Sequence, residues 1–298
     1  MSVLPCRAMG TKVAIVEAGR IVRNDGAEIV VPWWSFTKTL IAAAALALVR
    51  DGALRLDDEL PGRPYSLRLL LQHRAGLADY GGLKRYHEAV SRDEAAWPSP
   101  ALMQAADAER LRFEPGRGWG YSNIGYLIAR QHLEASCGEN LDALLRRLVF
   151  DPLGIAGPRI AMTRGDLDGV TLGSIRSYDP QWVYHGLVVG PLHDAALLLH
   201  RLLTTDFLPA DLRAEMTGGW PLGGAIEGRP WRTTAYGLGV MTGTGPGHSR
   251  VVGHTGGGPG SVIAVYHHPD ATTPFTAAAF SSGEDAGRVE SEAMALRP

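Results

Sequence analysis

Hydrophobic positions along this chain change their spacing twice. Near the N-terminus the runs are short and β-branched. Lys12 to Glu17 reads as a strand, Ala18-Gly19 as a turn, and Arg20 to Arg23 with Glu28 to Val31 as a continuing meander. From Phe36 to Arg50 the chain is Ala- and Leu-rich, apolar nearly all round, and closes at Asp51-Gly52, which predicts a helix buried in the middle of a domain. Helical spacing then dominates from about Leu56 to Thr205: Ser66 to Gln72, Ile124 to Ala135, Leu141 to Val149 and His193 to Leu203 are the segments it picks out. The C-terminal third returns to strands at Tyr236 to Met241, Arg250 to His254, Ser261 to His267 and Pro274 to Phe280, with a closing helix over Gly283 to Leu296. This order predicts one α/β (α+β) domain over residues 1–298. An antiparallel sheet built from both termini is flanked by helices (about 11–55 and 230–298), and a mostly helical lobe is inserted at about 56–229.

Composition narrows the possibilities. A chain that is 45% hydrophobic and 20% charged can bury a full core. A formal net charge of −2, without a basic cluster carrying interleaved aromatics, argues against nucleic acid as a partner. The most apolar run, Leu40 to Val49, is shorter than the ~20 residues needed to span a bilayer, so no membrane partner is expected. Met1 to Gly10 lacks the apolar core of a signal peptide, which makes a cytoplasmic location the expectation. Cys6 and Cys137 are too far apart in sequence to suggest a metal motif, and each reads as a free thiol.

The candidate chemistry starts from a rarity. Of 29 Lys and Arg residues only Lys12, Lys38 and Lys84 are lysines. A buried lysine can lose its proton, whereas guanidinium cannot. Lys38 follows Ser35 by three positions at the head of the apolar helix, so both side chains share one face about a turn apart. A neutral amine there could activate the serine as a nucleophile. The alternative is a capping serine beside a lysine buried at a helix edge. A second candidate is Tyr121-Ser122-Asn123, where Tyr121 could carry a proton if a nearby cation lowers its pKa, and Asn123 could hold a substrate amide. Read as plain structure, it is a turn with Asn123 near a helix N-cap. The third candidate, His254-Thr255-Gly256-Gly257, ends a strand. Its glycines would let backbone approach a ligand, an edge strand there could pair with an extended substrate, and the Gly257 N–H could help that of Ser35 bind an oxyanion. The plain alternative is a hairpin turn with an incidental histidine.

Taken in order, SxxK at Ser35, YxN at Tyr121 and HTG at His254 resemble the serine β-lactamase and penicillin-binding protein superfamily. The nearer likeness is to class C β-lactamases, D-alanyl-D-alanine carboxypeptidases and their esterase relatives. Leu70 to Leu77 (LLQHRAGL) is similar to that family's LLTHTSGL, Phe113-Glu114-Pro115-Gly116 precedes Tyr121 as expected, and Leu141 to Gly154 is similar to its PLG helix. The resemblance runs from about Val13 to Phe280. It implies that Ser35 is acylated while Lys38 and Tyr121 share the proton transfers. It further implies that Asn123 holds the acyl side chain, that His254 and Thr255 face the substrate's carboxylate or leaving group, and that the Ser35 and Gly257 backbone forms the oxyanion hole. His254 stands where β-lactamases carry lysine; a titratable histidine is a weaker carboxylate anchor at neutral pH, which points away from efficient β-lactam hydrolysis.

The expected function is therefore a serine hydrolase acting on an ester or amide of a small molecule or short peptide (an esterase, a D-amino-acid peptidase, amidase or carboxypeptidase, or a weak β-lactamase), with no cofactor and no metal. The alternative is a sensor of the same fold that is acylated and never turns over. His193 and His200 share a helix face without a third ligand and read as ordinary helix residues, and His267-His268 points two ways from one strand. Gly120 to Ile124 is a near miss to the G-x-S-x-G elbow that would make Ser122 the nucleophile instead. The tryptophans read as core, with Trp119 and Trp231 placed to line a cleft.

Overall fold

A computed structural model describes residues 10–27 and 29–298; Cys6 and Glu28 lie outside that set. Strands β1 (Lys12–Glu17) and β2 (Arg20–Asn24) form the expected hairpin across Ala18-Gly19. Strand β3 (Val30–Pro32) does not continue that meander. It crosses to a small three-stranded sheet, where Val31 faces Gly190. The departure carries the chain into a 3-10 turn at Trp34–Phe36 and then into α1 (Thr37–Arg50), where every side chain from Thr37 to Leu48 is buried. An apolar surface on all sides is what a central helix requires, because no face of it meets water.

Between residues 56 and 219 the chain is mainly helical, with α2 (Leu67–Leu71), α3 (Lys84–Ser91), α4 (Ser99–Ala105), α5 (Asn123–Cys137) and α6 (Leu141–Leu145), the last running into a π-helical turn at Arg146–Phe150. Helices α3 and α4 went unread because they are short and mostly half-exposed, so their apolar stripe is thin. Helix α5 starts at a capping Ser122, whose Oγ accepts from the Gly125 N–H, and stops at Gly138 in the left-handed conformation (φ 68°). The strands β4 (Arg159–Ala161) and β5 (Leu187–Pro191) complete the small sheet in the order β3-β5-β4. Helices α7 (Leu192–Thr204) and α8 (Ala210–Thr217) follow.

The C-terminal third supplies β6 (Trp220–Gly223), β7 (Thr233–Tyr236), β8 (Met241–Thr244), β9 (Arg250–Gly258), β10 (Ser261–His268) and β11 (Phe275–Ser282), then α9 (Ala286–Ala295). These strands join the N-terminal hairpin in one antiparallel sheet, in the order β2-β1-β11-β10-β9-β8-β7-β6. Two details depart from the sequence reading. Strand β6 lies inside the span assigned to the helical lobe. Tyr236 to Met241 is not one strand but a tight hairpin turn between β7 and β8, in which Gly237 N–H donates to the Val240 carbonyl at 2.8 Å. Gly239 (φ +73°) sits at that turn, and a β-carbon there would come within 2.4 Å of the Ala42 β-carbon in α1. Thr39 Oγ1 donates to the Gly239 carbonyl at 2.7 Å, so the hairpin tip is bonded to the central helix.

The sheet is covered on both sides. Val252, Ile263, Val265, Ala278 and Phe280 join the core that holds α1 and α7, while Val251, Val262, Ala264, Tyr266 and Ala279 pack with Val289, Ala293 and Met294 of α9. Period-two alternation thus assigns successive β10 residues to opposite cores, and all eight are buried. His200 of α7 accepts from the Gly19 N–H at 3.1 Å, and His193 Nδ1 meets Asn24 Nδ2 at 3.1 Å, so both histidines dock α7 on the N-terminal hairpin. Trp220, read as core, is 37% exposed, and the Arg74 guanidinium stacks over its ring at 3.6 Å. Among the described residues, no helix is long and apolar enough to cross a membrane.

One polar cluster is buried beneath α9. Glu290 is fully buried and ion-paired to Arg229 through two contacts, and it accepts from Thr255 Oγ1 at 2.5 Å and from the Tyr266 hydroxyl at 2.9 Å. Removing one member of a buried pair strands the other charge. Glu290→Ala is expected to destabilise the fold by about 3–5 kcal/mol, read as a lower denaturant midpoint at unchanged slope.

Candidate active site

Ser35 sits in the single-turn bend between β3 and α1. The preceding residue, Trp34, has φ +43°, a left-handed conformation that L-residues other than glycine adopt at a cost. Its indole holds it there: Nε1 donates to Ser261 Oγ at 3.1 Å, and the ring meets Tyr178 edge-on at 5.4 Å. Strand β9 comes directly against this bend because its end is glycine. A β-carbon on Gly256 would lie 2.5 Å from the Trp33 carbonyl oxygen and 2.8 Å from Ser35 N, and one on Gly258 would lie 2.5 Å from the Trp34 ring. The pairing of β8 with β9 ends at Gly253, so His254 to Gly258 keeps only β10 as a partner and one backbone edge is open.

The three motifs converge. Lys38 is completely buried, and its Nζ lies 3.0 Å from Ser35 Oγ, 2.7 Å from Asn123 Oδ1 and 3.3 Å from His185 Nε2. Burial lowers the lysine pKa to about 7, and the nearby Asp79 carboxylate opposes the shift. The Tyr121 hydroxyl donates to Ser35 Oγ at 3.0 Å. Burial raises the Tyr121 pKa well above its ordinary value despite the Ser35 hydrogen bond and Arg229. The phenol therefore keeps its proton, contrary to the expectation that a cation would lower its pKa, and Lys38 is the member of the pair that titrates near neutral pH.

Asn123 is placed by its position as the first residue of α5, and by a carboxylate that the sequence reading missed. Asp79 Oδ1 accepts from the Asn123 backbone N–H at 2.8 Å and from Asn123 Nδ2 at 3.0 Å, while Asp79 Oδ2 accepts from the Gly81 N–H at 3.2 Å. The amide is thereby oriented with its oxygen toward Lys38, and both of its ends are engaged within the protein. Nothing marks Asp79 in one sequence, because an aspartate two residues before a Gly-Gly pair reads as an ordinary turn. Ser122 is excluded as a nucleophile: its Oγ caps α5 and donates to the Ala78 carbonyl at 2.6 Å. The LLQHRAGL segment holds this loop in place. His73, itself at φ +58°, accepts from the Ser122 N–H through Nδ1 at 3.1 Å, and its carbonyl accepts from the Gly120 N–H at 3.0 Å.

His254 and Thr255 depart from the roles expected of them. His254 Nδ1 faces the Thr255 carbonyl at 2.7 Å and Nε2 faces the Tyr236 hydroxyl at 2.8 Å, so Nδ1 carries the ring proton and Nε2 accepts. Burial, with Lys38 nearby, pushes its pKa down to about 3. The imidazole is neutral at physiological pH and is not a titratable anchor for a carboxylate. Thr255 Oγ1 is committed to Glu290 and Tyr266.

Two cavities meet at the serine, with Ser35 and Gly257 lining both. One, of 340 Å³, is walled by Trp34, Tyr80, Tyr86, Tyr178 and Trp182 beside Asn123 and His185. The other, of 320 Å³, lies on the Tyr121 and His254 side and is walled by Trp119, Trp231, Tyr236 and Met241, with Arg229 as its cation. That charge is already compensated by Glu290.

Comparison with known proteins bears on the fold and the family. A D-stereospecific amidohydrolase from Streptomyces sp. superposes with a TM-score of 0.77 at 22% identity, over 93% of this chain and 90% of that one. Penicillin-binding protein 4* of Bacillus subtilis (strain 168) is 30% identical over 140 residues, 42% of this chain and 29% of that protein. The lovastatin esterase of Penicillium rubens is 29% identical over 168 residues, 45% of this chain and 40% of that enzyme. These alignments thus span less than half the length of either curated relative. The pattern that defines the Beta-lactamase family matches residues 6–296, nearly the whole sequence, and the chain belongs to that family.

Proposed function

We propose that this chain is a serine hydrolase that cleaves an ester or amide bond through an acyl-enzyme on Ser35. The observation that carries the reading is the fully buried Lys38 amine, 3.0 Å from Ser35 Oγ, with its pKa lowered to about 7. Lys38 takes the serine proton as Oγ attacks the substrate carbonyl. The backbone N–H groups of Ser35 and Gly257, at the junction of the two cavities, receive the developing oxyanion. Tyr121 lines only the Trp119–Trp231 cavity, so its proton goes to a leaving group on that side, and the proton on Lys38 replaces it. Water then attacks the acyl carbonyl from the vacated side. Its proton returns through Tyr121 and Lys38, and Oγ leaves as the serine hydroxyl.

The cavities narrow the substrate. The acyl side is walled by aromatic rings and suits an apolar or aromatic acyl group. The leaving-group side holds a neutral histidine and an arginine already paired, so it offers no uncompensated charge to an anion. This favours a neutral ester or amide over a free carboxylate. The likeness to an esterase and to an amidohydrolase is in keeping with both bond types.

Three outcomes follow. Ser35→Ala is expected to lower hydrolysis of a nitrophenyl ester by about four orders of magnitude or more at an unchanged unfolding temperature; retained turnover would refute the reading. The base must be neutral to act, so kcat/KM should rise about tenfold per pH unit in acid and level off above a pH of about 7, where Lys38 has lost its proton. Because His254 does not charge in this range, esters with and without a carboxylate should share that profile. A selective loss of the carboxylate substrate between pH 5 and 8, in side-by-side assays, would restore His254 as the anchor.

A further inference from the structure

His185 touches the catalytic lysine and has no place in any of the three motifs. It precedes β5, is 2% exposed, and reaches Lys38 Nζ with Nε2 at 3.3 Å. Its other ring nitrogen, Nδ1, is buried and has no hydrogen-bond partner, and the Trp34 backbone near the ring favours a proton on it. A proton on Nδ1 leaves Nε2 as an acceptor directed at Lys38. Burial and the nearby Lys38 hold the imidazole pKa well below its ordinary value, so the ring is neutral.

A neutral amine has two N–H bonds and one lone pair, and Lys38 has three neighbours. Asn123 Oδ1 is an acceptor only, and its orientation is fixed by Asp79. Ser35 Oγ already accepts from the Tyr121 hydroxyl, so its own proton is free to point at Lys38. If Asn123 were the sole acceptor, the amine could turn about that bond and present an N–H to Ser35 instead of its lone pair. We propose that His185 is a positioning residue for Lys38: its Nε2 accepts the second N–H, so that the amine lone pair is left aimed at Ser35 Oγ. Once Lys38 has taken the serine proton, the same three neighbours accept all three N–H bonds of the ammonium. Both protonation states are therefore satisfied without reorganisation.

The inference rests on Ser35 being the nucleophile, and the test separates the two ideas. The rate of Ser35 labelling by a fluorophosphonate, measured against pH, reports activation of the serine without knowledge of the natural substrate. Other charged and titratable groups around the pair are Asp79, His73, His254, Tyr121 and Tyr126 near Lys38 and Arg130 near His185, and all are unchanged in the variants. His185→Met matches the side-chain length but is a poor acceptor, whereas His185→Gln places an amide oxygen where Nε2 was. Losing the acceptor removes more from the ammonium than from the amine. The Met variant should therefore label about tenfold or more slowly, with the midpoint of its pH dependence lowered by about one unit. The Gln variant should stay within about threefold of wild type at an unchanged midpoint. If the Met variant fails to fold, His185→Ala supplies the same comparison. Wild-type rates and midpoints in a folded Met or Ala variant would overturn the proposal, as would a Gln variant that fails as badly as Met. A wild-type chain that takes no label at Ser35 would overturn the hydrolase reading and His185's role together.

Discussion

The structure turns on the burial of one amine. Lys38 sits in the first turn of a helix that is enclosed on all sides, and its charged form loses hydration there without gaining a carboxylate in contact. A fall from 10.5 to about 7 corresponds to about 5 kcal/mol of disfavoured charging. That exceeds what a surface ion pair supplies, by several-fold. Asp79, behind Asn123, opposes the shift, and the amine stands near the midpoint of its titration at neutral pH. A base poised in this way can both accept a proton and return it.

The rest of the architecture serves that enclosure. The hairpin tip at Gly239 bonds to α1 through Thr39, one residue after Lys38, and closes the helix from the sheet side. The capped start of α5 brings Asn123 onto the amine, and the His73 turn holds the Tyr121 loop against the serine. On the far side, the glycine-rich end of β9 lies against the Trp33–Ser35 bend. The Arg229–Glu290 pair fixes Thr255 in that strand and neutralises the arginine that lines the Trp119–Trp231 cavity. A site built from a helix start, a loop and a strand end is held by contacts among distant segments, so its geometry belongs to the whole domain.

Much of this was legible in one dimension. An all-apolar helix announced a central position, and the β10 and β11 runs announced strands, though not that both of their faces would be covered. The order of Ser35, Lys38, Tyr121, Asn123 and His254 announced a shared site. Local signals failed where short elements are decided by their neighbours. Val30–Pro32 has the composition of a strand, but nothing in it says which sheet it joins. Tyr236 to Met241 reads as one strand because its turn is made by Gly237 and Gly239 between apolar residues. The thin stripes of α3 and α4 do not rise above loop sequence.

What the sequence determined by itself is the set of reactive groups and their order, because SxxK on a helix fixes a serine and a lysine on one face by spacing alone. What only the tertiary structure decided is the state of those groups. Whether Lys38 is charged, whether Tyr121 keeps its proton and whether His254 can hold an anion depend on burial and on partners far away in the chain. Asp79 and His185 entered the site for the same reason. Their chemistry comes from contacts 44 and 147 residues away in sequence, and solvation and long-range contact are not properties of a local sequence pattern.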